Sequence, residues 1–179
     1  MKSSLEHLTD AGGLIPGPGT FDWEGAHSRL QTRIPEDFRM LLDAGGAGVW
    51  FDYIQMYAPG KRYQDRDLLD SGAVWDDLLL FWEEGYSAPP ADLPADARLI
   101  AWAATAAGHK LFWLTRPGVP PGEYPVYFES YEGDTWERFD MTTTDFLAGI
   151  LRGDVRSKLL SAFLMNVTDV FKPYTFDGA

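Results

Sequence analysis

Between residues 22 and 58 the apolar side chains recur twice at helical spacing and then change period. Trp23, Ala26 and Leu30 stand three and four residues apart, which predicts a short helix with Asp22 as its N-cap. Ile34-Pro35 opens a second helix, with proline in the first turn, Glu36 and Asp37 near the positive dipole end, and Phe38, Leu41 and Leu42 as the buried stripe. Gly45-Gly46 stops it, because the position past a helix end often takes the left-handed conformation that glycine tolerates. From Val49 to Tyr57 the chain turns aromatic and β-branched, predicting one strand that ends at Pro59-Gly60.

A third helix is predicted from about Asp67 to Glu84. Its inward stripe is Leu68, Trp75, Leu78, Leu79 and Trp82, with Asp76, Asp77, Glu83 and Glu84 toward water. Pro89, Pro90 and Pro94 mark a linker. Strand-like runs follow at 99–103, 110–115 and 124–129, with Gly108 placed to turn the first two as a hairpin. Residues 132–134 turn into a fourth run, 135–139. Thr143 or Thr144 can cap a helix carrying Phe146, Leu147, Ile150 and Leu151 and ending at Gly153. A last helix spans about 154–164. Helices, then a strand meander, then helices predict an α+β single domain: a mainly antiparallel curved sheet flanked by N- and C-terminal helices. Residues 1–20, ending in Pro16-Gly17-Pro18-Gly19, read as a turn-rich leader with little to bury. Residues 21–165 read as the domain and 166–179 as a partly docked tail.

Composition narrows the function. The 179 residues suit one well-buried core, and 15% aromatic content opposes disorder. No apolar run is long enough for a membrane span, and the start, with Lys2 and no apolar stretch, does not read as a secretory signal, so the cytoplasm is the expected location. The absence of cysteine excludes disulfides, thiolate nucleophiles and Cys-based zinc sites. The net charge of −12 is unevenly spread: residues 65–96 carry nine acids against Arg66 alone, and residues 123–145 carry seven against Arg138 alone. Such a surface repels phosphate backbones and draws basic partners. For any one of these acids, an ordinary solvated surface is an equal explanation.

Catalytic motifs are missing. No serine sits in a Gly-x-Ser-x-Gly turn, and His7, His27 and His109 form neither His-x-x-x-His nor His-Glu-x-x-His. Gly45-Gly46-Ala47-Gly48 lacks the Lys-Ser/Thr of a phosphate loop and follows a helix. Asp65, Asp67 and Asp70 lack the glycine and terminal glutamate of a calcium loop. No catalytic residue, metal or cofactor is expected, and the chain is not expected to be an enzyme.

The ordered series Trp23 to Leu30, Ile34-Pro35-Glu36-Asp37-Phe38, Leu41 to Gly48, LIAWA, KLFWLT, YPVYFE and WERFDMTTTDFLAGILRG resembles the SUKH superfamily. That group includes fungal cell-wall-assembly regulators and many bacterial immunity proteins. The resemblance implies an α+β domain that works by binding, as an immunity protein that masks a cognate basic toxin such as a nuclease. It implies as an alternative a regulatory scaffold in cell-wall or stress signalling. A carboxylate-dependent enzyme is a third reading. The partner contact is expected at Asp76, Asp77, Glu83, Glu84, Glu129, Glu132 and Asp134. The family's acidic turn before its second strand is replaced here by Ala106-Ala107-Gly108-His109, and the insert 60–98, with the larger acidic cluster, lies outside the shared motifs.

Overall fold

A computed structural model describes residues 1–17, 19–161 and 167–176. Its helices are α1 (Ser4–Gly12), α2 (Trp23–Leu30), α3 (Glu36–Gly45), α4 (Ser71–Glu84), α5 (Thr143–Arg152) and α6 (Lys158–Ser161). Its strands are β1 (Gly48–Trp50), β2 (Ile54–Met56), β3 (Arg98–Thr105), β4 (Lys110–Thr115), β5 (Val126–Glu129), β6 (Trp136–Phe139) and β7 (Phe171–Pro173). They form one open, antiparallel, seven-stranded sheet in the order β6-β5-β4-β3-β2-β1-β7. The α+β class and the flanking helices are as the periodicity predicts.

The two sheet faces are both covered, because successive strand side chains point opposite ways. On one face, fully buried Trp102 and Trp113 stack with ring centroids 6.2 Å apart, and Phe38 of α3 meets Trp113 edge-on at 4.8 Å. Phe146 of α5 closes over Trp102. The indole of Trp113 donates to Thr143 Oγ1 at 2.8 Å, which satisfies a donor that burial would otherwise strand. Asp37 joins α3 to α5 by accepting from the Thr144 amide and hydroxyl. On the other face Phe112 and Trp136 lie beneath α4, whose Trp82 meets Trp136 at 6.3 Å. Ser71 pins the start of α4 by donating to the Ala101 carbonyl at 2.6 Å.

Several expectations need correction. The leader is not merely turns: Ser3 and Glu6 form a capping box that starts α1, and Leu8 is fully buried. The single strand 49–57 is a hairpin, β1 to β2. Phe51 and Asp52 break it with φ of 58° and 55°, and the Tyr53 amide donates to Trp50 across the turn. The third helix begins at Ser71, after a 3-10 turn at Leu68–Asp70, and Leu79 is exposed instead of buried. Thr142 caps α5, while Thr143 and Thr144 are buried. Residues 154–157 are not helical; α6 starts at Lys158, and the expected continuation across 162–166 lies outside the described residues.

The tail docks as a full strand. β7 pairs with β1, and Phe171 packs on Trp50 at 4.7 Å. Gly48 permits the approach, since a Cβ there would stand 2.3 Å from the Lys172 carbonyl oxygen. The Tyr174 hydroxyl donates to the Met56 carbonyl, and Asp52 accepts from the Thr168 amide and hydroxyl and the Asp169 amide.

Candidate functional site

Helix α4 carries more apolar residues than its inner face can bury. Ser71, Trp75 and Leu78 are buried and Trp82 is half-buried, which fixes the side that faces the sheet. Leu79, Leu80 and Phe81 occupy the rest of the circumference and are 44–47% exposed. At about 100° per residue, Leu80 points directly away from the sheet. Its helix-surface neighbours, three and four residues away on each side, are Asp76, Asp77, Glu83 and Glu84, all exposed. A leucine therefore sits inside a ring of four carboxylates.

These carboxylates are not placed to stabilise the helix. No acid stands in the first turn of α4 and no base in the last, while Glu83 and Glu84 lie beside the negative end of the dipole. None of the four takes part in an ion pair among the described residues. The charge is available to a ligand.

The second acidic cluster joins the first at the C-terminal end of α4. Gly85, with φ of 77°, ends the helix, and the chain then runs against the β5–β6 turn. There the Ala88 amide donates to the Gly133 carbonyl at 3.0 Å and the Trp136 indole to the Ala88 carbonyl at 2.8 Å. Glu132 and Asp134 are exposed on this turn beside Tyr131, which is 72% exposed; Tyr86, 75% exposed, follows α4. Asp134 also shapes the turn by accepting from Ser130 and Thr135 hydroxyls. The turn is tied to the β3–β4 hairpin through the Tyr131 amide, which donates to His109 Nδ1 at 2.7 Å. Asp76 and Asp77 lie about two turns, some 10 Å, back along α4.

Glu129 does not belong to this surface. It faces the α4 side of the sheet between Lys110 and Trp136 and is only 7% exposed. Burial pushes its carboxyl up to about 7, against a smaller opposing pull from Lys110. Every residue of β5 is buried because both faces of the sheet are covered there, so Glu129 is enclosed at the end of the strand. Of the seven residues expected at the contact, six are exposed on the α4 face and the β5–β6 turn, and Glu129 is buried beneath them. The reading of the sequence missed Leu80, Phe81, Tyr86 and Tyr131. The signal for the first two was the unbroken run Leu78–Trp82, since five consecutive apolar residues cannot all face one side of a helix.

Among the described residues, no group of three or more His, Asp or Glu side chains is arranged to hold a metal ion. No helix among them is long and apolar enough to cross a membrane. At the opposite edge of the sheet, beside β1 and β7, lies a cleft of about 930 Å3 whose lining, among the described residues, holds one carboxylate, Asp22. That carboxylate is engaged in capping α2 through the Gly25 amide. No protein-family model, curated protein or solved structure matches the chain.

Proposed function

We propose that this protein is a non-catalytic protein-binding domain of SUKH type, an immunity protein that acts in the cytoplasm by masking a basic toxin. The observation that carries this reading is Leu80 within its ring of Asp76, Asp77, Glu83 and Glu84. An apolar anchor desolvated at the centre of a contact supplies binding energy, and surrounding charge of one sign steers a partner of the other sign toward it. Exposed Phe81, Tyr86 and Tyr131 extend the anchor set, and aromatic side chains are favoured at the centres of interfaces. A nuclease must be basic to hold nucleic acid, so an acidic face can cover its substrate groove. The unpaired carboxylates, unfavourable beside the end of α4 in the free protein, lose that penalty when a cationic surface arrives.

The test is association of the purified chain with the product of the neighbouring gene, followed at several salt concentrations. Reversing Asp76, Asp77, Glu83 and Glu84 to Lys together should slow association by about tenfold or more at low salt, with the difference shrinking as salt rises. Leu80→Ala should leave the association rate alone and speed dissociation on the order of tenfold. A tight complex indifferent to both changes places the contact elsewhere. Substrate turnover by the pure chain, lost on changing one carboxylate, overturns the non-catalytic reading.

A further inference from the structure

The cleft beside β1 and β7 is built from features that the α4 reading leaves unused. Its aromatic side is continuous: Phe21 lies 6.4 Å from Tyr63 between ring centroids, and Tyr63 lies 6.4 Å from Tyr174 and 5.5 Å from Phe176. The rest of the lining is backbone-rich, with Gly12 and Gly13 at the end of α1, Gly45 and Gly46 at the end of α3, and Gly17 and Gly19. Side chains at Gly17 and Gly19 would meet nothing within 4 Å. The rings are inclined at 34°, 56° and 78° to one another, so they offer edges as well as faces, which an aromatic guest can meet edge-to-face. The cleft's volume is within the range of small-molecule pockets.

The polar lining indicates which aromatic guest. Arg62 lies 4.0 Å from the Phe176 ring centroid and 5.9 Å from that of Tyr63. Among the described residues it makes no ion pair, in a chain with 27 acids to offer. A guanidinium held against a ring keeps its in-plane N–H donors free for a carboxylate. Thr20 and Thr175 add hydroxyls to the same lining. The segment that delivers Arg62 and Tyr63 is strained, since Gln64 has φ of 54° and ψ of −119° inside a 3-10 stretch. Strain of this kind persists where the surroundings hold a residue in place, and it gathers at ligand clamps. Lys61, Arg62 and Arg66, with Lys172 on β7, stand against Asp22, Asp65 and Asp67, so the cations only just outnumber the acids.

We propose that this cleft binds a planar aromatic carboxylate, its ring among Phe21, Tyr63 and Tyr174 and its carboxylate on the Arg62 guanidinium. The site is separate from α4, and its occupancy does not depend on a protein partner.

The full chain is titrated by calorimetry with 2-naphthoate, and in parallel with 2-naphthylmethylammonium, the same ring bearing the opposite charge. One equivalent of naphthoate should bind, more tightly than the ammonium compound. Arg62→Gln should weaken naphthoate on the order of tenfold or more and leave the ammonium compound within a factor of about two. Gly19→Trp, which fills the slot from an open position, should abolish both; Tyr63→Ala provides a second removal from the aromatic side. Circular dichroism checks that each variant is folded. No naphthoate binding at millimolar concentration overturns the proposal. So does binding that survives both Arg62→Gln and Gly19→Trp, or preference for the ammonium compound.

Discussion

The two ends of the sheet put their polar groups to different use. At the β1–β7 edge the groups that hold the tail have partners, Arg62 in the cleft aside: Asp52 accepts from three donors on the tail, Arg66 donates twice to Gln55, and Tyr174 reaches the Met56 carbonyl. At the α4 and β5–β6 end the carboxylates of α4 are unpaired, and Trp82 Nε1 and Ser87 Oγ are buried without a partner among the described residues. Apolar surface divides the same way, with Trp50 fully buried under Phe171 and Leu80 facing out. One end is organised for stability. The other holds charge and apolar area in positions that do nothing for the isolated fold, and that makes it the better candidate for recognition.

The sharpest break of this comparison is to truncate one apolar side chain at each end. Trp50→Ala should cost about 3–5 kcal/mol, because it removes a fully buried ring and leaves Phe171 without its platform. Leu80→Ala should change stability by no more than about 0.5 kcal/mol, since its side chain contacts water on the outer face of α4. Urea unfolding of the two variants measures both. Equal losses would erase the distinction between the ends.

Two carboxylates sharpen it through pH. Glu129 has its folded pKa raised to about 7 by burial, so the folded state holds a proton that the unfolded chain has already released. Stability from this group is full below its unfolded value near 4.5 and is lost as pH rises through 7, a contribution of up to about 3 kcal/mol. Glu129→Gln should therefore stabilise the protein at pH 8 and have little effect at pH 4. Asp52 runs the other way. Backbone N–H groups of Thr168 and Asp169, aided by the Thr168 hydroxyl, hold its folded pKa below 3.8. Its contribution is present above 3.8 and is lost as pH falls through the lower folded value. Asp52→Asn should lower the melting temperature at pH 7 and lose that effect in strong acid, with the tail becoming more protease-sensitive.

The stable end was harder to read from the sequence than its order suggests. Elements whose local signals agreed with their tertiary setting were legible: α2 from apolar spacing and its Asp22 cap, α3 from apolar spacing after Pro35, β4 from its apolar and aromatic run, and the stop at Gly45-Gly46. The leader failed because the glycines and prolines at its end dominate a reading of the whole segment, although the Ser3 and Glu6 capping box was in plain view. The 49–57 run failed because its turn is made by Phe51 and Asp52 in place of glycine, and phenylalanine gives no turn signal. The candidate site was legible as charge, since acids are exposed almost anywhere they occur. Its geometry was not. Whether Glu129 is buried depends on whether helices cover both faces of the sheet, and whether Leu80 is core or anchor depends on which side of α4 the sheet takes.

The finest test concerns the charge on α4 itself. Glu83→Gln and Glu84→Gln each remove a carboxylate beside the negative end of the helix dipole, where no base offsets it. Each change should raise stability by a few tenths of a kcal/mol at low salt, and the gain should fade as salt screens the dipole. The same changes should slow association with a basic partner. An ordinary solubilising surface would show the gain without the loss, because a charge kept only for solubility can be removed without cost to recognition. Loss of stability in both variants would mean that Glu83 and Glu84 hold α4 in place, and the contrast between the two ends of the sheet would then lose its electrostatic half.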